Sequence, residues 1–186
     1  VKTHARWTQV LSNRDSMLEA RWFEGATLNF AENLLRHRDQ HLAIIFRNET
    51  GERRTLTYAE LYDAVARLSA QLRKMGVGKG DRVAAYLPNL PETIIAMLAT
   101  TSIGAIWSSC SPDFGIKGVV ERFEQISPRV LLTVDRYHYN GKVIDCSGRL
   151  QEILQGIGSI EQIIVVPYAD RKLSETDLSD LAIAKP

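Results

Sequence analysis

The run Gly104-Ala-Ile-Trp-Ser-Ser-Cys-Ser-Pro-Asp-Phe-Gly115 carries an apolar strand into a loop of hydroxyls, a carboxylate, a proline and glycines before a helical pattern resumes. Ser108, Ser109, Ser111 and Asp113 offer hydrogen-bonding groups where an open parallel sheet carries its ligands, beyond the carboxyl ends of the strands. Capping of the following helix explains Ser111 and Asp113 equally well, so ligand contact and turn chemistry both stay open on residue types. Tyr137-His-Tyr-Asn-Gly-Lys142 follows the next strand at the same sheet edge and reads as a loop. Its aromatic, amide and basic groups could stack a base and pair with a phosphate, or simply form an exposed connection. The chain shows no Gly-rich phosphate loop, no His/Cys set at metal spacing and no nucleophile–base pair. The chemistry on offer is binding, without an engine for making bonds.

Gly76-Val-Gly-Lys-Gly-Asp81 has the composition of a phosphate loop in the wrong place. Phosphate loops follow a strand and open a helix whose amides hold the anion, whereas this run ends a helix and opens a strand. It reads as an αβ turn, with Gly76 and Gly78 supplying positive φ. Cys110 and Cys146 form neither a CxxC pair nor a zinc spacing and read as reduced, buried thiols. Of the histidines, only His138 falls in a plausible site, and it reads as a surface residue; Trp107 reads as core.

The elements that must position these loops follow from periodicity. A helix over about 29–37 starts at Asn29 with Glu32 reciprocating, within a charged, aromatic first segment that needs another surface to cover. Leu42–Phe46 and Arg54–Thr57 flank a turn and form a hairpin. Thr57-Tyr-Ala-Glu60 is a capping box opening a helix with apolar residues at 61, 64, 65, 68, 72 and 75, ended by Gly76. Strands 82–87, 105–110, 129–135 and 160–167 then alternate with helices 91–103, 116–125 and 148–155, which predicts a parallel sheet. The stretch from Asp170 to Pro186 shows no strand strong enough to close a domain.

Composition bounds the function. With 186 residues, 45% hydrophobic and 24% charged, the chain can bury a core and is neither disordered nor a disulfide scaffold. Lys and Arg number 23 against 22 acidic residues, so nothing predicts capture of nucleic acid or of an anionic membrane. Positions 93–112 are uncharged, but Ser and Thr fill seven of them and Gly104 and Pro112 interrupt; a buried helix and strand fit better than a membrane span. The reduced thiols and the absence of a signal-peptide core point to a cytoplasmic protein, and the missing initiator Met to a piece of a longer chain.

LTYAEL at 56–61, GVGKGDRVAAYLPN at 76–89, AMLATTSIGAIWSSCSPDFG at 96–115, RFEQISP at 122–128 and YNGK at 139–142 together resemble the N-terminal part of the AMP-forming acyl-CoA synthetases, in the adenylate-forming superfamily. The resemblance runs from Trp22 to Tyr168. It implies an α/β fold, with an N-terminal helical extension and β-hairpin followed by a mostly parallel βα subdomain of an adenylate-forming enzyme. Residues 1–40 would be the extension and 41–186 the first, incomplete part of the AMP-binding (adenylation) domain. The implied reaction joins a carboxylate to AMP from ATP, releasing pyrophosphate, and then passes the acyl group to the thiol of coenzyme A.

The same resemblance makes ATP, coenzyme A and Mg2+ cofactors of the parent enzyme, none expected to bind this chain tightly. The phosphate loop, ribose-holding acid, acyl pocket and catalytic lysine of such enzymes lie farther along, so no catalytic residue is assigned. Ser111, Pro112, Asp113, Asn140, Gly141 and Lys142 are the implied coenzyme A contacts. Related enzymes carry arginines at the positions of Tyr139 and Lys142. Tyr139 cannot pair with phosphate in that way, and Lys142 offers a point charge in place of a fork. SPDFG, YNGK and WFEGATLNFAENLL at 22–35 resemble, in this order, the members of that family that act on acetoacetate, so the resemblance implies acetoacetate as the acid, with acetate or propionate as alternatives. A non-catalytic α/β ligand-binding module is the reading from a different class. A truncated sheet further predicts an exposed apolar face and self-association through it.

Overall fold

The computed structural model describes residues 1–168 and the backbone of 182–184. The chain opens on a hairpin of β1 (Gln9–Ser12) and β2 (Arg21–Glu24), followed by the short helix α1 (Phe30–Leu34). Asn29 caps α1 by accepting the Glu32 amide at 3.0 Å, while the Glu32 carboxylate turns away to His4, also at 3.0 Å. The expected helix over 29–37 is therefore shorter, and Glu32 does not reciprocate. The Asn29 amide group instead donates to the carbonyls of Thr101 and Ser102, seating α1 on a later helix.

Strands β3 (Leu42–Arg47) and β4 (Arg53–Thr57) form the expected hairpin. Helix α2 (Tyr58–Lys74) then starts at a complete capping box: Thr57 Oγ1 accepts the Glu60 amide at 3.2 Å and Glu60 Oε2 accepts the Thr57 amide at 2.7 Å. Its stripe of Leu61, Ala64, Val65, Leu68 and Leu72 is buried. Gly76, at φ +80°, ends it in the left-handed region where a side chain would be strained. The turn that follows uses Gly80 at φ +86° for its second left-handed position; Gly78, read as that residue, instead donates its amide to Asp81 Oδ2 at 2.8 Å.

The α/β unit comprises β5 (Arg82–Tyr86), α3 (Pro91–Ser102), β6 (Ile106–Cys110), α4 (Ile116–Glu124), β7 (Val130–Val134), the hairpin β8 (Arg136–Tyr139) and β9 (Lys142–Asp145), α5 (Ser147–Gly156) and β10 (Gln162–Val166). In the main sheet β10, β7, β5 and β6 lie side by side in that order and run parallel. Strand β11 (Ala182–Ala184) runs antiparallel beside β10, in a stretch whose pattern shows no strand strong enough to close a domain; the rest of that tail lies outside the described residues. The segment 137–142, read as a loop, is a β-hairpin turning at Asn140 (φ +51°) and Gly141 (φ +71°). Asn-Gly between alternating residues is a strong two-residue hairpin signal.

Both faces of β5, β7 and β10 are covered by helices of this chain. Val83, Ala85, Leu132, Val134 and Ile164 pack in one core with Leu68, Leu72 and Leu98 of α2 and α3. Ala84, Tyr86, Leu131 and Ile163 pack in the other with Val119, Phe123, Ile153 and Ile157 on the side of α4 and α5. The expected exposed sheet face is thus absent from β5, β7 and β10, because α4 and α5 supply the second layer. Large apolar side chains are exposed elsewhere, at Met17, Leu18 and Trp22 around the first hairpin, at Ile45, and at Ile106 on the edge strand β6. Helices α4 and α5 meet closely: a Cβ on Gly156 would stand 2.8 Å from both Val120 methyls.

Two arginines fix the layers. Arg129 donates to Asp81 Oδ2 at 3.0 Å, to both oxygens of Glu161 at 2.9 and 2.7 Å and to the Gly76 carbonyl at 3.0 Å, clasping the amino ends of β5, β7 and β10. Arg54 of β4 forms a bidentate pair with Glu92 in the first turn of α3, at 3.0 and 2.8 Å, with 12% and 4% of the two side chains exposed. Glu92→Ala takes both hydrogen-bonded oxygens from the buried guanidinium, leaving the longer 3.6 Å ion pair with Glu52, and is expected to cost about 3–5 kcal/mol, whereas the paired change Arg54→Met with Glu92→Leu is expected to cost far less. Urea unfolding of the three proteins checks this; a cost below about 1 kcal/mol for Glu92→Ala is what an exposed pair would give.

Candidate functional site

Strand β5 lies between β6, which follows it in the chain, and β7, which follows later, so the strand order reverses at β5. In a parallel sheet that reversal opens a crevice beyond the carboxyl ends of the strands, because successive connections leave on opposite sides. A pocket of about 240 Å³ sits there. It is lined by Leu87–Asn89 after β5, by Ser109, Ser111 and Asp113 at the end of β6, and by Tyr137–Tyr139 of β8. Thr93 of α3 donates its hydroxyl to the Pro88 carbonyl at 2.7 Å and so holds the first of these walls to the helix start.

The 111–115 loop is locked from beneath. Tyr86, the last residue of the fully buried end of β5, donates its phenol to the Pro112 carbonyl at 2.7 Å, and Arg149 of α5 donates to the same oxygen at 2.8 Å. Burial pushes the Tyr86 phenol above its ordinary pKa, although Arg149 beside it pulls the other way. Above the lock, Ser111 Oγ donates to Asp113 Oδ2 at 2.9 Å and the Tyr137 phenol donates to Asp113 Oδ1 at 3.1 Å. Burial is also the main cause that raises the Tyr137 phenol. Helix α4 has Gly115 at its N-cap with no side-chain cap, so Ser111 and Asp113 do not perform the capping that their types allowed.

The expected contact residues divide into two groups. Ser111 and Asp113 line the pocket, and Pro112 is buried just behind it. Asn140, Gly141 and Lys142 lie at the β8–β9 turn, outside the lining, to which the hairpin contributes Tyr137, His138 and Tyr139. The Asn140 and Gly141 amides are already engaged, donating to Glu49 Oε2 at 2.8 Å and to Glu49 Oε1 at 3.0 Å. His138, at the pocket wall, has its ring 5.5 Å from that of Tyr168.

The site's chemistry is that of a shaped, hydrogen-bonding mouth. Cys110 lines it, but burial raises its thiol, and the buried Cys146 thiol is pushed up to about 11 by the same cause, so neither is a thiolate near neutrality. Among the described residues no group of three or more His, Cys, Asp or Glu side chains could hold a metal ion. A larger cavity, about 560 Å³, lies between α1 and α2, lined by His4, Glu32, Arg38, Tyr62 and Arg73 among others. It abuts no strand's carboxyl end, so the sheet does not converge its loops there.

Tyr86, Arg149 and Glu49 are functional neighbours that the sequence reading missed. For Tyr86 a signal existed: a tyrosine closing a strand that is apolar on both faces must find an acceptor for its hydroxyl. Nothing local marks Arg149 or Glu49, whose partners lie 37 and 91 residues away.

The AMP-binding enzyme family matches residues 30–183. Acetoacetyl-coenzyme A synthetase of Rhizobium meliloti (strain 1021) is 50% identical over 161 residues, which is 87% of this chain and 24% of that protein. Acetoacetyl-CoA synthetase of Macaca fascicularis is 44% identical over 162 residues, 86% of this chain and 24% of that protein. The solved structure of acetoacetyl-CoA synthetase from Streptomyces lividans superposes with a TM-score of 0.87 at 40% identity, covering 100% of this chain and 29% of that one. The chain thus spans about a quarter of the length of the curated relatives it matches.

Removing either donor to the Pro112 carbonyl should loosen the loop. Arg149→Met is expected to cost about 1–3 kcal/mol and to speed hydrogen exchange at the Phe114 amide, which bonds the Ser111 carbonyl, more than at amides of β7. Because the Tyr86 phenol is raised on folding, its contribution is present below about pH 10 and lost as pH climbs through the folded value. The Tyr86→Phe protein should accordingly lose less stability than the parent between pH 9 and pH 11 in chemical denaturation, those limits being set by the ordinary phenol value of about 10.

Proposed function

The chain belongs to the AMP-binding enzyme family, and from that premise we propose that it is the N-terminal part of an ATP-dependent acetoacetate–CoA ligase. That enzyme would convert acetoacetate, ATP and coenzyme A to acetoacetyl-CoA, AMP and diphosphate. The relatives named above support the choice of acid. The observation that carries the local role is the convergence of Ser111, Asp113 and Tyr139 on one pocket at the strand-order reversal, beside the turn that bears Lys142.

In this reading the chain contributes coenzyme A positioning. ATP and Mg2+ belong to groups on the remaining length of the ligase; when bound, they supply the electrophilic phosphorus and the charge neutralisation that adenylation needs. Ser111 and Asp113, bonded to one another, present a fixed hydroxyl and carboxylate suited to the amides of the pantetheine arm. Pro112 contributes rigidity: its carbonyl is consumed by Tyr86 and Arg149, so the loop enters the pocket already shaped. Lys142 is exposed at the start of β9 and supplies a positive charge for the phosphates at the nucleotide end.

One observation favours the second reading, a free-standing ligand-binding module: β5, β7 and β10 are covered on both faces by this chain's own helices. That reading requires the chain by itself to bind coenzyme A as tightly as a full-length ligase, which equilibrium dialysis measures. We place the ligase in the cytoplasm; no helix among the described residues is long and apolar enough to cross a membrane. Self-association would run through the exposed apolar residues around the first hairpin and β6, and is read by sedimentation.

Two measurements test the ligase reading. In the full-length enzyme Lys142→Ala should raise KM for coenzyme A severalfold, as expected for losing a partly exposed charged contact of about 1 kcal/mol, and leave acetoacetate-dependent pyrophosphate exchange unchanged. The 3′-dephospho analogue should show little of the effect, since a merely structural lysine would penalise both thiols alike. The 186-residue chain alone should catalyse no acid-dependent exchange of pyrophosphate into ATP, and labelled ATP formed by it would refute the assignment of adenylation to the remaining length.

A further inference from the structure

The contact between Glu49 and the β8–β9 turn has the form of an occupied anion site. The hairpin pairs Tyr139 with Lys142 and turns at Asn140 and Gly141, both with positive φ. A two-residue turn of this kind gives the amides of its central residues no partner within the hairpin, and successive amides pointing to one side form a concavity that holds anions. Here the concavity is filled by one carboxylate, each oxygen taking one amide, at 2.8 and 3.0 Å. A phosphate presents the same pair of oxygens.

The group that fills it comes from the tip of a different hairpin. Asn48 organises that tip without help from Glu49: its side-chain carbonyl accepts the Glu52 amide at 2.9 Å and the Thr50 hydroxyl at 2.8 Å, and its amide donates to Glu52 Oε2 at 2.8 Å. Gly51 completes the turn at φ +86°. Both turns therefore keep their shape on internal bonds, and the Glu49 carboxylate is a docking contact between two preformed pieces.

We propose that Glu49 is an internal competitor for the phosphate at the nucleotide end of coenzyme A: ligand phosphate and the β3–β4 tip take the same two amides and exclude each other. The identity of the ligand rests on the coenzyme A reading given above; the competition does not. While Glu49 is seated, the approach to Lys142 carries a negative charge beside the cation that should attract the phosphate. Displacing it frees two amides and adds that cation, and the released tip undocks from the site's outer wall. The proposal makes Glu49 a regulator of access, in contrast to the ligand-facing role assigned to Lys142.

The test uses the full chain, its Glu49→Gln and Glu49→Ala variants, and inorganic phosphate, coenzyme A and 3′-dephospho-coenzyme A at one fixed ionic strength, followed at the backbone amide resonances of residues 139–142. Removing the competitor should tighten inorganic phosphate at the Asn140 and Gly141 amides by about tenfold, the factor that one charge-assisted hydrogen bond is worth. Glu49→Gln, which keeps a neutral acceptor, should fall between Glu49→Ala and the parent. Coenzyme A should tighten in parallel and the dephospho analogue should not. Unchanged or weakened phosphate affinity overturns the proposal, as does loss of the Tyr139–Lys142 pairing in both variants, which would make Glu49 a structural strut. If phosphate tightens but coenzyme A leaves these amides unmoved in every variant, the competition stands and the coenzyme A reading fails. If phosphate affinity is the same in every variant and coenzyme A still shifts the amides of residues 139–142, the coenzyme A reading stands and the competition fails.

Discussion

The backbone carbonyl of Pro112 organises the carboxyl edge of the sheet. Strand β5 is buried on both faces, so the phenol at its end has no water to turn to, and an unmet hydroxyl there would cost about 1–3 kcal/mol. That demand draws the loop after β6 down onto β5. Arg149, reaching across from α5 to the same oxygen, ties in the helix that follows β9. One atom thus joins three pieces of chain that are far apart in sequence, and the pocket wall formed by Ser111 and Asp113 stands on it.

The opposite edge is held by charge. Arg129 satisfies two carboxylates and a helix-terminal carbonyl at once, which aligns the starting points of β5, β7 and β10. Its partners' pKa values are depressed, Asp81 first by the Gly78 amide and Glu161 first by Arg129 itself, so the clasp is ionised at neutral pH. With the amino ends clasped and the Arg54–Glu92 pair fixing α3, strand positions are set before any loop is considered. Binding loops at the far edge then vary in only a few degrees of freedom, as a preformed mouth requires.

The parallel βα unit was legible because its signals are local and redundant: a capping box at Thr57, a stripe ending at Gly76, and short apolar runs separated by helical patterns. Element ends agree within one or two residues from β5 to β10. The first segment was less legible. Trp22 and Phe23 sit in a two-stranded ribbon whose side chains are largely exposed, so no alternation betrays the strands. The β8–β9 hairpin had its Asn-Gly signal, which a reading set on a ligand loop passed over. Ser111 and Asp113 line a pocket beyond the carboxyl ends of the strands, where sheet topology makes loops converge. The bonds that define the site, from Tyr86, Arg149 and Glu49, join distant residues, and no window of sequence contains both partners.

Gly156 bears on this site although it is exposed and far from it in sequence. It lets α5 approach α4 so closely that the Val120 methyls occupy the space a side chain would need. Helix α4 begins where the 111–115 loop ends, and α5 carries Arg149 near its own start. The packing of the two helices at Gly156 therefore bears on where α5 holds Arg149, which reaches the Pro112 carbonyl at 2.8 Å. One missing methyl group acts as a gauge block for the mouth of the pocket: widen it at the back, and the fit is lost at the front.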